Sequence, residues 1–344
     1  MSTYYPLFFE ANLHKRVWGG HSLLGLKGLP ESKIPYGESW EVSAVPDSPS
    51  IVANGEYSGM SLVDVINQDP VGFLGAKVSE QYEGRLPLLV KFIDAKEDLS
   101  IQVHPNDKIA KERHNCLGKT EMWYVIDARP GAYLYNGFNS PISKYEYAKR
   151  VEDGTITDVL ARHDVKAGDV FYIPAGQVHA ICGGVVLAEV QQSSDITYRI
   201  FDYNRPGLDG LPRQLHTDEA MGAIDFDVKD DYRTHYSIGD NKANHCIDSP
   251  YFKVRVVDID KTLHRNLVKY DSFIITTCVS GSCSIIVDGI NYELTTGNSC
   301  LIPAAIADYY VEPHGHCQLL DSFIDNKDRH LYRKALRFLK LSDK

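Results

Sequence analysis

AGDVFYIPAGQVHAI, residues Ala167 to Ile181, has a counterpart later in the chain, TGNSCLIPAAIADYY, residues Thr296 to Tyr310. At a single offset of 129 residues, Gly168 falls on Gly297, Ile173 on Ile302, Pro174 on Pro303 and Ala175 on Ala304. Upstream, PGAYLYNGFN matches SGSCSIIVDGIN less cleanly. Gly137 and Asn139 fall on Gly289 and Asn291 at an offset of 152, whereas Gly131 fits Gly281 at 150. The two main offsets differ by 23 residues, about the length of the helical-looking stretch from Pro141 to His163, which only the first copy has. A repeat of this kind predicts two related modules, the first carrying a helical insertion.

The modules read as β structure. Segments such as GRLPLLVKFIDAKEDLSIQVHP, EMWYVIDARPGAYLYNG, YFKVRVVDI and SFIITTCVSGSCSIIVDG alternate apolar and polar residues between Gly, Pro, Asn and Asp turns. Helical patterns are fewer. SLVDVINQDPVGFLG opens on Ser61 as an N-cap; HTDEAMGAI and the closing DRHLYRKALRFLK are the others. The turn G-D-x-x-x-I-P-A-G-x-x-H resembles the second signature motif of the cupin barrel, a small jelly roll. The expected fold is therefore mainly β: two cupin-type jelly-roll β-barrel modules with a few peripheral helices. The catalytic module is drawn over 1–240, and a second module lacking metal ligands over 241–344.

Composition narrows the function. The 344 residues carry 46 acidic against 36 basic side chains, a net charge of -10, with no basic stripe of the kind that binds nucleic acid. Twenty-one Tyr against four Met favours sheet. The seven cysteines show no C-x-x-C spacing and read as reduced thiols of a cytoplasmic protein. No signal peptide and no run of 18 apolar residues is seen, so no membrane partner is expected. The composition leaves room for a homo-oligomer.

In SIQVHPND, Ser100 to Asp107, strand alternation sets Ser100, Gln102 and His104 on one face and Ile101 and Val103 on the other. Glu121 opens the next strand, sharing a face with Lys119 and Trp123, and His179 follows the Ile173-Pro174-Ala175-Gly176 turn. Two imidazoles, a carboxylate and an amide oxygen form a mixed N/O set that suits Zn2+, with Fe2+, Mn2+ and Co2+ as alternatives. The repeat serves as a control. His179 maps onto Asp308, and Glu121 onto Phe273 or Asp271. Gln102 and His104 map onto Val254 and Val256, or onto Phe252 and Val254. One zinc ion per chain, in the first module, is expected.

Together, KRVWGG, GESWEVS, PLLVKFIDAKEDLSIQVHPND, GKTEMWYVI, FYIPAGQVHAI and EVQQSSDITYRIFDYNR resemble the type I mannose-6-phosphate isomerases in their shorter bacterial form. The resemblance runs from about Pro6 to the end and is densest between Gly84 and Arg205. It implies a two-cupin zinc enzyme that interconverts mannose 6-phosphate and fructose 6-phosphate, with Gln102, His104, Glu121 and His179 as zinc ligands. Its longer members carry K-P-E where this chain has Lys119-Thr120-Glu121. Moving a proton between C2 and C1 through an enediolate needs a base, a stabiliser of oxyanion charge and a phosphate grip. Glu189 is a candidate base or else a partner that orients His179. Lys119 can reach either the phosphate or a substrate oxygen, and Ser100 can donate to phosphate. Arg199 matches an active-site arginine of the family, whereas Arg205, beyond a turn, reads as structural. A different metal cupin, such as an iron dioxygenase or an epimerase, is one rival, although Gln102 stands where an oxygenase usually has His. A non-enzymatic sugar-binding cupin pair is the other.

Overall fold

A computed structural model of the chain describes residues 4–268 and 270–325. The closing helix expected over 328–340 lies outside the described residues. The chain divides into two compact units that interleave in sequence. The first module comprises Ala11–Ser48 and Leu88–His235. The second comprises Met1–Glu10, Pro49–Pro87 and Tyr236–Lys344. The single boundary drawn at 240 thus leaves out two early segments that pair with later ones. Leu7–Phe8, for example, adds an antiparallel edge to Ser299–Ile302.

Each module is two antiparallel sheets packed face to face, as in a jelly roll. In the first module, a five-stranded sheet runs Tyr198–Phe201, Ile101–Val103, His179–Ile181, Tyr133–Phe138, Leu160–Asp164. It faces a six-stranded sheet ordered Leu13–Gly20, Tyr36–Val42, Leu88–Ala95, Val185–Gln192, Glu121–Ala128, Val170–Ile173. Between them lie Trp18, Ile93, Leu99, Trp123, Leu134, Phe171, Ile181 and Leu187. The second module repeats the order. Leu263–Asn266, Asp308–Pro313, Ser282–Val287, Ile290–Thr295 form one sheet, and Lys253–Ile259, Cys317–Phe323, Ile274–Ser280, Ser299–Ile302 are the central run of the other.

The helices sit outside the sheets and follow local signals. Ser61 accepts the Asp64 N–H and caps Leu62–Gln68; Asp69 then accepts from Gly72 and Pro70 opens a second short helix, Pro70–Leu74, so one expected helix is two. The supposed insertion from Pro141 to His163 is α-helical only over Lys144–Glu152, capped by Ser143, with a short 3-10 helix at Ile156–Val159. Its last residues, Leu160–Asp164, form a strand paired with Tyr133–Phe138. The second copy closes the same hairpin with Asp288 and Gly289, both at positive φ, the pattern of a two-residue primed turn. In HTDEAMGAI the helix is Thr217–Met221.

Strand order also corrects the repeat mapping. The counterpart of Ile101–Val103 is Leu263–Asn266, whereas Val254 and Val256 lie on the counterpart of Leu88–Ala95. The faces settle the register. Phe171 and Ile173 point inward, and so do Cys300 and Ile302, in keeping with the offset of 129. After the turn, however, Tyr309 and Val311 point inward in the second module while Asp308 is exposed, so the inward place of His179 belongs to Tyr309. The second turn holds one more residue, and a one-residue slip flips every side chain to the other face. Counting from the paired strands, Gln102 corresponds to Arg265, His104 to Leu267, Glu121 to Ile274 and Glu189 to Asp321. The second module has filled the region with a buried pair: Arg265 Nη2 donates to Asp321 Oδ2 at 2.5 Å, and Thr276 donates to Asp321 Oδ1 at 2.8 Å.

Candidate metal centre and active site

The first module's site begins with strand pairing. His179 lies opposite Gln102 on one side and Asn136 on the other, and Gln102 lies opposite Arg199. Residues opposite one another share a face, so Arg199, Gln102, His179 and Asn136 form a row across the inner surface. Ile101 and Val103 point the other way, into a cluster with Phe138, Tyr147, Val178 and Ala180. From the facing sheet Glu121 and Glu189 project inward, on neighbouring strands that pair Gln191 with Glu121 and Glu189 with Trp123.

His104, Glu121 and His179 converge, and all three are buried. The two Nε2 atoms are 3.2 Å apart; His104 Nε2 is 3.4 Å from Glu121 Oε2 and His179 Nε2 is 3.3 Å from Glu121 Oε1. Each imidazole donates its Nδ1–H to a main-chain carbonyl, His104 to Ile196 at 2.9 Å and His179 to Gln177 at 2.8 Å. A carbonyl can only accept, so the tautomer is fixed and both Nε2 lone pairs face the carboxylate. Burial, with Lys119 nearby, pushes His104 down to about 3, and burial also lowers His179, so both rings are neutral at pH 7. Burial raises Glu121, but Lys119 and the two imidazoles outweigh it and hold the group well below the usual carboxylate range. Both Glu121 oxygens are buried without a hydrogen-bond partner.

Four acceptors crowded together without a proton between them repel, and Lys119, 3.4 Å from one Glu121 oxygen, offsets this on one side only, so a cation in their midst is favourable. Their separations match the edge of a tetrahedron with metal bonds of about 2.1 Å, roughly 3.4 Å. A divalent metal therefore fits these residues, and the carbonyls behind each imidazole are the orienting partners that metal-bound histidines use. Gln102 completes the cluster, its amide nitrogen 3.4 Å from His179 Nε2; a half-turn of the amide presents the oxygen instead.

A cavity of about 590 Å³ opens beside this group and is lined within the first module by Ser100, Gln102, Lys119, Glu189 and Arg199, among others. Lys119 Nζ is 3.4 Å from Glu121 Oε2, which places it at the metal end. Its burial would lower it, but Glu121 and Glu189 hold its ammonium charged. Glu189 accepts from Trp123 Nε1 at 2.9 Å and lies 3.5 Å from Lys91 Nζ. Burial and the charge of Glu121 push it up to about 6, against Lys91 and Lys119. It does not orient His179; the Gln177 carbonyl does. Arg205 donates to Asp202 and is absent from the cavity lining.

The sequence reading missed a supporting chain. Arg16 Nη2 and Trp40 Nε1 donate to Glu38 Oε2 at 2.8 and 2.7 Å, and Lys91 Nζ lies over the Trp40 ring, 4.8 Å from its centroid. Arg16, Glu38 and Trp40 come from KRVWGG and GESWEVS and Lys91 from PLLVKFIDAKEDLSIQVHPND, so the signal was in the quoted motifs although their roles were not. Arg213 and His216, also on the lining, carried no motif.

A mainly β chain of two modules, one with a buried His-Glu-His group able to hold a divalent metal, belongs to the cupin class. The family description "Phosphomannose isomerase type I, catalytic domain" matches residues 7–127, and "Mannose-6-phosphate isomerase, cupin domain" matches 241–324. The Bacillus subtilis protein described as "Probable mannose-6-phosphate isomerase GmuF" is 37% identical over 323 residues, covering 92% of this chain and 99% of that one. Mannose-6-phosphate isomerase ManA of the same organism is 34% identical over 91% of this chain and 97% of its own. The crystal structure of the mannose 6-phosphate isomerase from Bacillus subtilis superposes with a TM-score of 0.84 at 34% identity, covering 93% of this chain and 99% of that one. The chain belongs to the type I phosphomannose isomerase family and is an isomerase. Among the described residues, no helix is long and apolar enough to cross a membrane.

Proposed function

We propose that this protein interconverts mannose 6-phosphate and fructose 6-phosphate, using one zinc ion held in the first module by Gln102, His104, Glu121 and His179. The observation that carries the reading is the buried acceptor cluster of Glu121 and two Nδ1-protonated imidazoles, set beside a cavity that its neighbours Gln102, Lys119 and Glu189 line. Relatives that match over nine tenths of the chain and are described as mannose-6-phosphate isomerases point to the substrate. Seven unpaired cysteines fit a cytoplasmic setting. When bound, the metal supplies Lewis-acid polarisation of substrate oxygens.

The chain's own residues supply the rest. Glu189, held by Trp123 and Lys91, takes the proton from C2 of the open-chain aldose; the C–H electron pair becomes the C1=C2 bond and the carbonyl oxygen gains the charge. The O2 proton then passes to O1, and as the charge on O2 re-forms a carbonyl at C2 the same carboxyl returns its proton to C1. Lys119, anchored at Glu121, faces this developing charge, and Arg199, beside Gln102, does the same with its planar fork. Ser100 offers a hydroxyl within the cavity. Metal analysis combined with a coupled assay for fructose 6-phosphate formation from mannose 6-phosphate tests the reading. A chain that carries metal but forms no fructose 6-phosphate would falsify it.

A further inference from the structure

We propose that Arg213, on the loop from Asp202 to His216, is the residue that grips the substrate phosphate, and that Asp202 is its positioning residue. The inference rests on the sugar-phosphate reading above and assigns one end of that substrate.

The argument starts from the length of the substrate. Isomerisation occurs at C1 and C2, and the phosphate is at the other end of a six-carbon chain. Lys119 contacts Glu121 and so serves the metal end, whereas Arg199 starts opposite Gln102 and its Nη1 reaches the Gln214 carbonyl, between that end and the loop. A dianion at the far end needs a cation of its own. Arg213 lines the same cavity from the loop wall, with Gly207, Leu208 and Asp209 beside it.

Its geometry is prepared for an anion. Asp202 is buried, and Arg213 gives it Nε at 2.6 Å and Nη2 at 2.5 Å, a fork that fixes the guanidinium plane. That leaves the Nη1 amine uncommitted. Arg205 donates to the same carboxylate through Nε at 3.2 Å and Nη2 at 2.9 Å. At hydrogen-bond range Asp202 alone answers both guanidiniums, the exposed Glu97 standing 4.0 Å from Arg205 Nη1, so Arg213 shares its one carboxylate and keeps charge for a phosphate. Arg199, whose Nη1 donates to Gln214 O at 2.8 Å, has a buried Nε without a hydrogen-bond partner. Asp209 does not answer the guanidiniums through Oδ1, which accepts the Leu211 N–H at 3.0 Å. The cavity carries Lys15, Arg16, Lys91, Lys119, Arg199 and Arg213 against Glu38, Glu189, Asp195 and Asp209, in a chain whose overall charge is -10. The charge that attracts the substrate is therefore local.

The test uses the full-length metal-loaded protein, with inorganic phosphate as the probe. Arg213→Ala is expected to weaken phosphate binding, measured by calorimetry and by competitive inhibition, about tenfold or more. KM for mannose 6-phosphate should rise by a similar factor with kcat within about threefold, because the phosphate charge is present in ground and transition states alike. Arg205 remains to pair Asp202, so the substitution leaves no naked buried carboxylate. Arg213→Lys should recover part of the phosphate affinity. Unchanged phosphate affinity and KM in Arg213→Ala would overturn the inference, as would a fall in kcat at constant KM. If the wild-type chain binds phosphate through Arg213 yet turns over no mannose 6-phosphate, the isomerase reading fails and this assignment stands. If the wild type is active and Arg213→Ala matches it in every constant, the assignment fails and the isomerase reading stands.

Discussion

Glu189 and Arg199, ten residues apart on successive strands, should fail in different ways. Glu189→Gln keeps the shape and the Trp123 contact but cannot take a proton, so kcat should fall by roughly 10²–10⁴ with metal content unchanged. A variant that keeps its metal and exchanges solvent hydrogen into C2 at the normal rate would remove Glu189 from the mechanism. The sign of the pH dependence follows from the raised carboxyl, pushed up to about 6 by burial and by Glu121. A base works ionised, so kcat/KM should decline as pH falls through that region. A cation bound to Glu121 cancels the second cause, which sets the limb at or below pH 6; the pH–rate profile of Glu189→Gln should lack it. Arg199→Ala removes a fork that acts on charge developing at the enediolate, so kcat and kcat/KM should fall together. A rise in KM alone would reassign Arg199 to the phosphate. Residue types were legible in the sequence here. The partner of each group was not: nothing in the sequence says that the Gln177 carbonyl, rather than Glu189, fixes the His179 ring.

At the scale of elements, a single residue in a turn decides what a strand presents. The second module's turn after Pro303 is one residue longer in effect than the turn after Pro174, so His179 meets Tyr309 rather than Asp308 on the inner face. Identical residues mark the turn well and cannot report a slip beyond it, because side-chain direction alternates with every residue. Two glycines that the repeat aligns, Gly137 within its strand and Gly289 in a hairpin turn, offer a test. Both Gly137 and Gly289 have positive φ, but a Cβ on Gly289 meets open space whereas one on Gly137 would enter the Tyr232 ring. Gly289→Ala should cost about 1 kcal/mol of unfolding free energy from the backbone alone. Gly137→Ala should cost a further 1–3 kcal/mol or so from overpacking; denaturant titration of both variants measures the difference. The Arg265–Asp321 pair is a second test. Arg265→Met strands a buried carboxylate and should destabilise its module by about 3–5 kcal/mol, while Arg265→Met combined with Asp321→Leu should recover most of that. If the single and double variants unfold alike, Arg265 is not compensating Asp321.

At the scale of the whole molecule, the metal is the first thing to remove. Chelation should abolish turnover, and Zn2+ should restore it; His104→Ala and His179→Ala should each lower metal retention, read by elemental analysis at one metal per chain in the parent. Two metals per chain would overturn a single-site protein, since Arg265, Leu267, Ile274 and Tyr309 hold the corresponding places in the second module. The sequence by itself determined the β class, the repeat, the family motifs and the residue types of the metal cluster, because alternation, turn residues and ligand chemistry are local properties of the chain. Tertiary structure alone decided the rest. It grouped Leu7–Phe8 with Ser299–Ile302, turned the end of the supposed helical insertion into a strand, set the true register of the repeat, and brought Arg213, held from behind by Asp202, to the wall of a cavity whose other walls begin at Lys15. Each of these depends on pairing between residues far apart in the chain, and such pairing is fixed by the faces two sheets bury together rather than by any stretch read alone.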